Sequence, residues 1–438
     1  DPESHMSLGI IQTEAGDYIE AERNFRKVIE LTPNNETGYY FLARLFYEQD
    51  RMAEAEKNYL KAIEINPNFA SALVELALVY EKQNRIEDSE NIYRGVIELF
   101  PYSLESYVRY GNFLFRVNRM AEARQQYEKA ESLDFQNPDL KLRLGLLYIE
   151  NKDYDKAIEE FQLILIGNPN DERAKYYLSL CYIETGEYDK ALELLDSISE
   201  ESEFYDESLV QKAFTYEKRG DPDSALSIVS EAYERQPDNE VIVNYMGSVY
   251  RKLDRNEDAI ELFRKFLSSN PGNETILYSL GVTYYFIDDD AKSIEAMKEI
   301  VGVNPNHADA LNFIGYTYAE NGENLEEAEQ YIKKALSISP DKGYIIDSLG
   351  WVYYKQGRYE ESLELLKKAA NLQPEDPAIM EHLGDVYNDM GDPQKALEYY
   401  EKGLSLFGEY QDMTTVDLEL KTRIIEKITR LKQSPGVN

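Results

Sequence analysis

Hydrophobic and polar positions along this chain follow two superposed periods. Within short stretches apolar residues recur every three or four places, the spacing of a helix with one buried stripe. Over longer stretches the whole pattern returns every 34 residues. Proline falls at 33, 67, 101, 169, 237, 271 and 305, separated by 34 or by twice 34. Small residues keep the same step at Ala43, Ala77, Gly111, Gly145, Ser179, Ala213, Gly247, Gly281 and Gly315. Three residues after each comes an aromatic or leucine, from Phe46 and Tyr80 through Leu114 to Tyr318. Twelve residues after the small one comes another, as at Ala55, Ala123, Ala157, Ala191, Ala225 and Ala259.

Each spacing predicts a piece of structure. A Gly or Ala in the apolar stripe lets a second helix approach closely, and the later Ala fills the facing slot. Gly186, Gly220, Gly357 and Gly391 stand just past a first helix, where a left-handed cap is needed. The proline ends the second helix and sets the turn into the next unit. One unit is thus a short helix hairpin that cannot bury its own apolar face and must stack on its neighbours.

Twelve units fit, at 2–35, 36–69, 70–103, 104–137, 138–171, 172–205, 206–239, 240–273, 274–307, 308–342, 343–376 and 377–410. The tenth carries one extra residue in "AENGENLEEA", lengthening the turn between its helices. The opening "DPESHM" reads as an expression scar, so the first unit is truncated and a native signal peptide or lipid-attachment cysteine would stand upstream of Ser7. The expected organisation is a scar at 1–6, N-terminal repeats at 7–205, C-terminal repeats at 206–410, and a capping helix with tail at 411–438. The joint "DSISEESEFYDES", 196–208, lacks the proline and puts Ile198 where a small residue is expected, which marks it for a bend or local opening.

Near the end, "TVDLELKTRIIEKITRLK" sets Leu420, Ile424, Ile428 and Leu431 on one stripe, as a helix capping the last repeat would. Its other face carries Lys421, Arg423, Lys427, Arg430 and Lys432. That face either pairs with neighbouring carboxylates or docks an acidic partner. The terminal "QSPGVN" is expected to be disordered.

Charge narrows the function. The formal net charge is −36, spread along the whole length, and such a surface repels phosphate backbones and anionic headgroups. Nucleic acid is therefore not an expected partner, and no apolar run approaches the length of a membrane span. Cys181 is the single cysteine, which excludes an intramolecular disulfide and reads as a small core residue. No phosphate-cradling GxxxxGK[ST], GxSxG elbow or HExxH occurs. His382, beside Glu381, Asp385 and Asp389, reads as a solvated histidine and not a metal ligand, because a lone histidine among carboxylates lacks convergent support. Asp288, Asp289 and Asp290 sit in a turn, without the glycine and final glutamate of a calcium loop. The expectation is a protein that is not an enzyme and takes no cofactor or metal.

Leu349, Gly350, Tyr353, Ser362, Ala369 and Pro374 match the signature of the tetratricopeptide repeat, and the chain resembles that family over nearly its whole length. The resemblance implies an all-α, right-handed superhelical solenoid of about twelve helix hairpins with a C-terminal capping helix. First helices would line a concave groove through repeat places 2, 5, 6, 9, 12 and 13. Those places hold Tyr40, Phe41, Tyr47, Phe115, Tyr176, Tyr177, Phe214 and Tyr245, then Tyr278, Tyr285, Phe286, Phe313, Tyr316, Tyr344, Trp351 and Tyr354. The tryptophan familiar in this family sits at the fourth place, inside the packing, whereas Trp351 sits at the ninth and is expected to face the groove. An open aromatic row marks a surface for extended polypeptide or an amphipathic helix, unless the rings bury one another.

The same places carry Arg44, Arg109, Asn112, Arg116, Arg143 and Arg173. They are expected to bind anions such as carboxylates, or else to pair with Glu75 and Glu105. Some family members clamp a terminal carboxylate with Lys and Asn at set places. Asn112 and Arg173 fall on two of these, while Val108 and Arg143 depart from the pattern.

The segment from "ALNFIGYTYAENGENLEEAEQ" through "DSLGWVYY" to "HLGDVY" resembles the carboxy-terminal region of bacterial tetratricopeptide proteins, many of them exported lipoproteins. One is an outer-membrane adaptor that presents substrates to a carboxy-terminal-processing protease. The resemblance implies a periplasmic, membrane-tethered adaptor for a protease and its clients. The alternative is a structural subunit of a pilus, secretion or polysaccharide-export assembly, binding a folded partner through the termini or convex face.

Overall fold

A computed structural model of the protein describes residues 1–407 and 415–433, and over these its regular structure is entirely helical. The tail from 434, expected to be disordered, lies outside the described residues. The first helices come as hairpin pairs: α1 (Pro2–Glu14) with α2 (Tyr18–Leu31), α3 (Glu36–Glu48) with α4 (Met52–Ile65), α5 (Ala70–Lys82) with α6 (Ile86–Leu99). Then follow α7 (Leu104–Arg116) with α8 (Met120–Leu133), α9 (Pro138–Glu150) with α10 (Tyr154–Gly167), and α11 (Glu172–Glu184) with the short α12 (Tyr188–Asp196). The next pairs are α13 (Tyr205–Lys218) with α14 (Pro222–Arg235), α15 (Glu240–Lys252) with α16 (Asn256–Ser269), and α17 (Glu274–Phe286) with α18 (Asp290–Val303). The last are α19 (Ala308–Glu320) with α20 (Leu325–Ile338), α21 (Gly343–Lys355) with α22 (Tyr359–Leu372), and α23 (Pro377–Asp389) with α24 (Pro393–Leu406); α25 (Thr415–Gln433) stands alone. Residues 2–6 open α1, where Asp1 caps the start through Ser4 and Pro2 suits the first turn.

Close approach explains the small residue of each first helix. A Cβ on Gly111 would meet the Tyr127 ring at 2.5 Å, and one on Gly247 would meet Phe263 at 2.1 Å. In these hairpins the ring of the second helix therefore lies directly on the first-helix backbone, and Met297, Ile332 and Leu366 take its place over Gly281, Gly315 and Gly350. Ser293 and Ser362, at the second small place, each add a hydrogen bond, donating to the Gly281 and Gly350 carbonyls at 2.8 and 2.7 Å. The aromatic three places on is buried against the next turn, with Arg358 over Tyr353 at 3.7 Å and Arg85 over Tyr80 at 4.0 Å.

The turn inside each hairpin needs one left-handed residue. Gly186, Gly220, Gly357 and Gly391 supply it as expected, and Asp50, Asn84, Asn118, Lys152, Asp254 and Asp288 take the same conformation elsewhere. The extra residue of the tenth hairpin makes a second such place, Gly322 followed by Asn324.

The chain divides into two compact units, Asp1–Thr215 and Tyr216–Asn438. The division falls inside α13, later than the expected boundary at 205. At the joint singled out as weak, α12 stops after nine residues and Ile198 is buried in the core of the first unit. Cys181 lies in the same core, where burial pushes its thiol up to about 12. Among the described residues, no helix is long and apolar enough to cross a membrane.

Candidate protein-binding surface

Successive first helices lie side by side in each unit, and their facing side chains follow one register. Pairs 35 residues apart meet: Arg116 with Glu81, Ser279 with Asn244, Tyr354 with Asp389, and His382 with Asp347. The spacing is one repeat plus one residue, the offset between neighbouring helices. It accounts for several of the contacts that satisfy groove residues within the chain.

In the first unit, α3 holds Tyr40, Phe41 and Tyr47, all partly buried. Tyr40 packs edge-on against Phe41 at 5.2 Å and tilts against Phe69 at 5.1 Å. On α11, Tyr176 and Tyr177 meet at 5.4 Å, and Phe204 lies against both. Phe214 on α13 is also partly buried, whereas Phe115 on α7 remains 45% exposed. These rings bury one another in part, and Phe115 is left open to solvent.

Each cationic residue has a local partner of its own. Arg44 reaches Glu48 at 3.6 Å and Arg109 reaches Glu105 at 2.9 Å, each on its own helix. Burial pushes the Glu75 carboxyl up, against the nearby charges of Arg109 and Arg44. Arg116 makes a forked pair with Glu81 at 2.8 and 2.9 Å. Arg173 stands with Asp171 at 3.3 Å and Asp139 at 3.7 Å. Arg143 is different: it is exposed and donates to the neutral Asn112 Oδ1 at 3.0 Å, an oxygen that also accepts from the Tyr127 hydroxyl at 2.7 Å. Arg109, Arg143 and Arg173 thus each stand in a separate local contact.

In the second unit Tyr245, Tyr278, Tyr285, Phe313, Tyr316, Tyr344 and Tyr354 are partly buried, and Phe286 is 46% exposed. Phe313 joins Tyr278 at 6.1 Å to Tyr285 at 5.5 Å. The Tyr344 hydroxyl donates to Asp309, and that of Tyr354 to Asp389 at 2.8 Å.

Trp351 does not face an open surface. Only 6% of it is accessible, and it is sandwiched between Tyr354 at 4.7 Å and His382 at 4.1 Å, with both planes within about 20° of its own. His382 comes from the neighbouring helix α23, so the next repeat closes over the ninth place. His382 is likewise buried instead of solvated, and its Nδ1 lies 2.9 and 3.0 Å from the two oxygens of buried Asp347. Burial opposes its positive charge, but the Asp347 carboxylate outweighs this and raises the imidazole pKa. Among the described residues, no group of histidine, cysteine and carboxylate side chains is arranged to hold a metal.

Helix α25 covers the end of the same surface. Leu420, Ile424 and Ile428 are buried with Tyr387, Ala396 and Tyr400. Arg423 forks onto Glu381 at 2.7 Å through both nitrogens, and Lys427 bridges Glu381 at 2.8 Å and Asp385 at 2.7 Å. Burial pushes the Glu381 carboxyl up, yet Arg423 and Lys427 hold it below its usual range. Lys432 reaches Glu401 at 2.7 Å. The three cations are thus engaged with the chain's own carboxylates.

This stack of helix hairpins is a repeat solenoid, the class of scaffold that offers one continuous face to a protein partner. Tetratricopeptide repeat models match residues 12–59, 114–176, 148–212, 306–375 and 345–409, and others of the same description match 43–84 and 74–139. A model of the N-terminal TPR repeats region of Psidin matches 181–292. The chain belongs to the tetratricopeptide repeat family, whose members typically bind proteins or peptides. No curated protein matches it. Among solved structures, yeast Tom70 is 16% identical at a TM-score of 0.48, covering 98% of this chain and 95% of its own. A tetratricopeptide repeat protein from Parabacteroides merdae is 18% identical at 0.48, covering 58% of this chain and 98% of its own.

Proposed function

We propose that the protein is a non-catalytic adaptor that holds extended segments of client proteins on its first-helix face and presents them to a bacterial envelope protease of the carboxy-terminal-processing kind. The observation that carries the reading is Phe115, a large ring left 45% exposed at a groove place of α7, one turn from Asn112, which accepts from the exposed Arg143. Aromatic and arginine side chains are the residues that most often anchor a partner. The resemblance of residues 310–387 to exported lipoproteins supports the protease and a periplasmic seat, tethered to the outer membrane by an N-terminal lipid anchor. No nucleic acid and no cofactor enter the reading.

The test is reconstitution with a purified envelope protease and an unfolded client. The chain should bind the protease and accelerate client cleavage. Phe115→Ala with Arg143→Gln should lose the acceleration while the protease still binds. No acceleration, together with one stoichiometric folded partner from an export or pilus complex, would overturn the adaptor.

One observation favours that second reading, a structural or assembly subunit. Along the turns between hairpins of the first unit, Leu99, Tyr102, Leu133, Phe135 and Ile166 are all exposed, Tyr102 by 87%. Such an apolar edge suits a folded partner better than an extended chain.

A further inference from the structure

Arg251 stands at a groove place of α15 in the second unit, half-buried and without a carboxylate. Its guanidinium reaches across to α17 and donates to the Ser279 carbonyl and the Thr283 hydroxyl, both at 3.3 Å, which is long for such bonds. Among the described residues it forms no ion pair. The 35-residue register explains why: its counterparts on the flanking helices are Tyr216 and Phe286, and neither is acidic. Burial alone pushes its pKa down, with no carboxylate near enough to oppose it. Arg116, at a groove place of α7, forks onto Glu81, and Arg423 of the capping helix forks onto Glu381.

An arginine partly removed from water and left without a counter-ion is costly, and more unexpected in a chain of net charge −36. Its surroundings are polar but neutral. Asn244 lies two turns away on α15 and accepts from the Ser279 hydroxyl at 2.6 Å. Asn312, at the same repeat place on α19, has a buried amide oxygen with no hydrogen-bond partner. Uncharged amides and hydroxyls match the peptide groups of an extended chain, while an arginine fork matches a carboxylate.

We propose that Arg251 anchors an aspartate or glutamate side chain of an extended polypeptide lying across α15, α17 and α19. The inference deepens the protein-binding reading and rests on it, but it uses a different unit from Phe115 and Arg143. It assigns the second unit a preference, an acidic residue in an otherwise neutral segment.

A random dodecapeptide library selected in parallel on the full chain and on Arg251→Gln tests this. Peptides from the unaltered chain should be enriched in Asp or Glu at one position. Changing that residue to its amide should weaken binding about tenfold on the unaltered chain and leave it unchanged on the variant. Arg251→Lys should keep part of the preference, and thermal unfolding of each variant separates loss of recognition from loss of fold. Equal acid enrichment in both pools, or none in the first, overturns the proposal. If peptides are selected that depend on Phe115 and lack an Arg251-linked acidic position, this inference falls and the protein-binding reading stands. If neither pool yields a binder, both fall.

Discussion

The first-helix face of the N-terminal unit and that of the last two hairpins share one repeat register but differ in outcome. Around α7 the groove places leave Phe115 exposed and Arg143 on a neutral partner. Around α21 and α23 the equivalent places hold Asp347, Trp351, Glu381 and His382, all buried. Repeat place alone therefore does not determine exposure. What determines it is whether a neighbouring helix, or the capping helix, offers a matching group. Stacking His382 on Trp351 and forking Arg423 onto Glu381 convert a binding face into a structural seal.

The comparison is sharpened most by Trp351→Ala. Removing a buried ring that two neighbours sandwich should cost about 3–5 kcal/mol, read by chemical denaturation of the full chain. The indole should also emit as a buried chromophore before substitution. A loss near zero would return Trp351 to the open groove.

Next comes Glu381→Gln. It leaves Arg423 and Lys427 facing a neutral group, and a loss of about 2–3 kcal/mol is expected, less than for a fully buried pair because Arg423 stays half exposed. Hydrogen exchange should show the loss in α23 and α25. Exchange unchanged in both helices would show that the cap is held by its apolar stripe alone.

A smaller effect follows pH. His382 faces Asp347 on α21, with Glu381 and Asp385 on its own helix and Asp376 before it. Its folded pKa is raised, so its stabilisation is complete below the unfolded value of about 6.5 and is lost as pH rises through the folded value. Glu381 has the opposite sign: its depressed pKa stabilises above the unfolded carboxyl range, and that contribution disappears as pH falls through the folded value. Protection of α23 should therefore decline as pH rises through the raised folded value of His382, and His382→Gln should remove that decline. The same decline in the variant would assign it to another group.

The smallest expected effect on stability is at Phe115. Replacing this exposed ring with Ala should change folding by no more than about 0.5 kcal/mol while reducing polypeptide capture, which separates it from Trp351 in the same assay.

Much of this architecture was legible from residue spacing. Gly111 and Gly247 announced close helix contact, and Gly186 and Gly357 the left-handed turns. Ile424 and its neighbours announced the cap. Trp351 and His382 were misread because exposure was judged helix by helix. Asp347 and His382 are 35 apart, like Glu81 and Arg116, so a search at one repeat plus one would have found the buried pair. Arg251 was overlooked because an arginine without a partner is recognised only once the partners of the others are known. Whether a partly buried ring is free to bind depends on distances between helices, which spacing does not encode.

The most direct measurement is the hydrogen-exchange footprint of an acidic peptide selected on the full chain. The account predicts new protection along α15, α17 and α19 for an Arg251-dependent peptide, and along α7 and its neighbouring first helices for one dependent on Phe115, with α21, α23 and α25 unchanged. Protection concentrated on α21 to α25, or along the turns at Tyr102 and Phe135, would contradict the division between an open binding face and a sealed end.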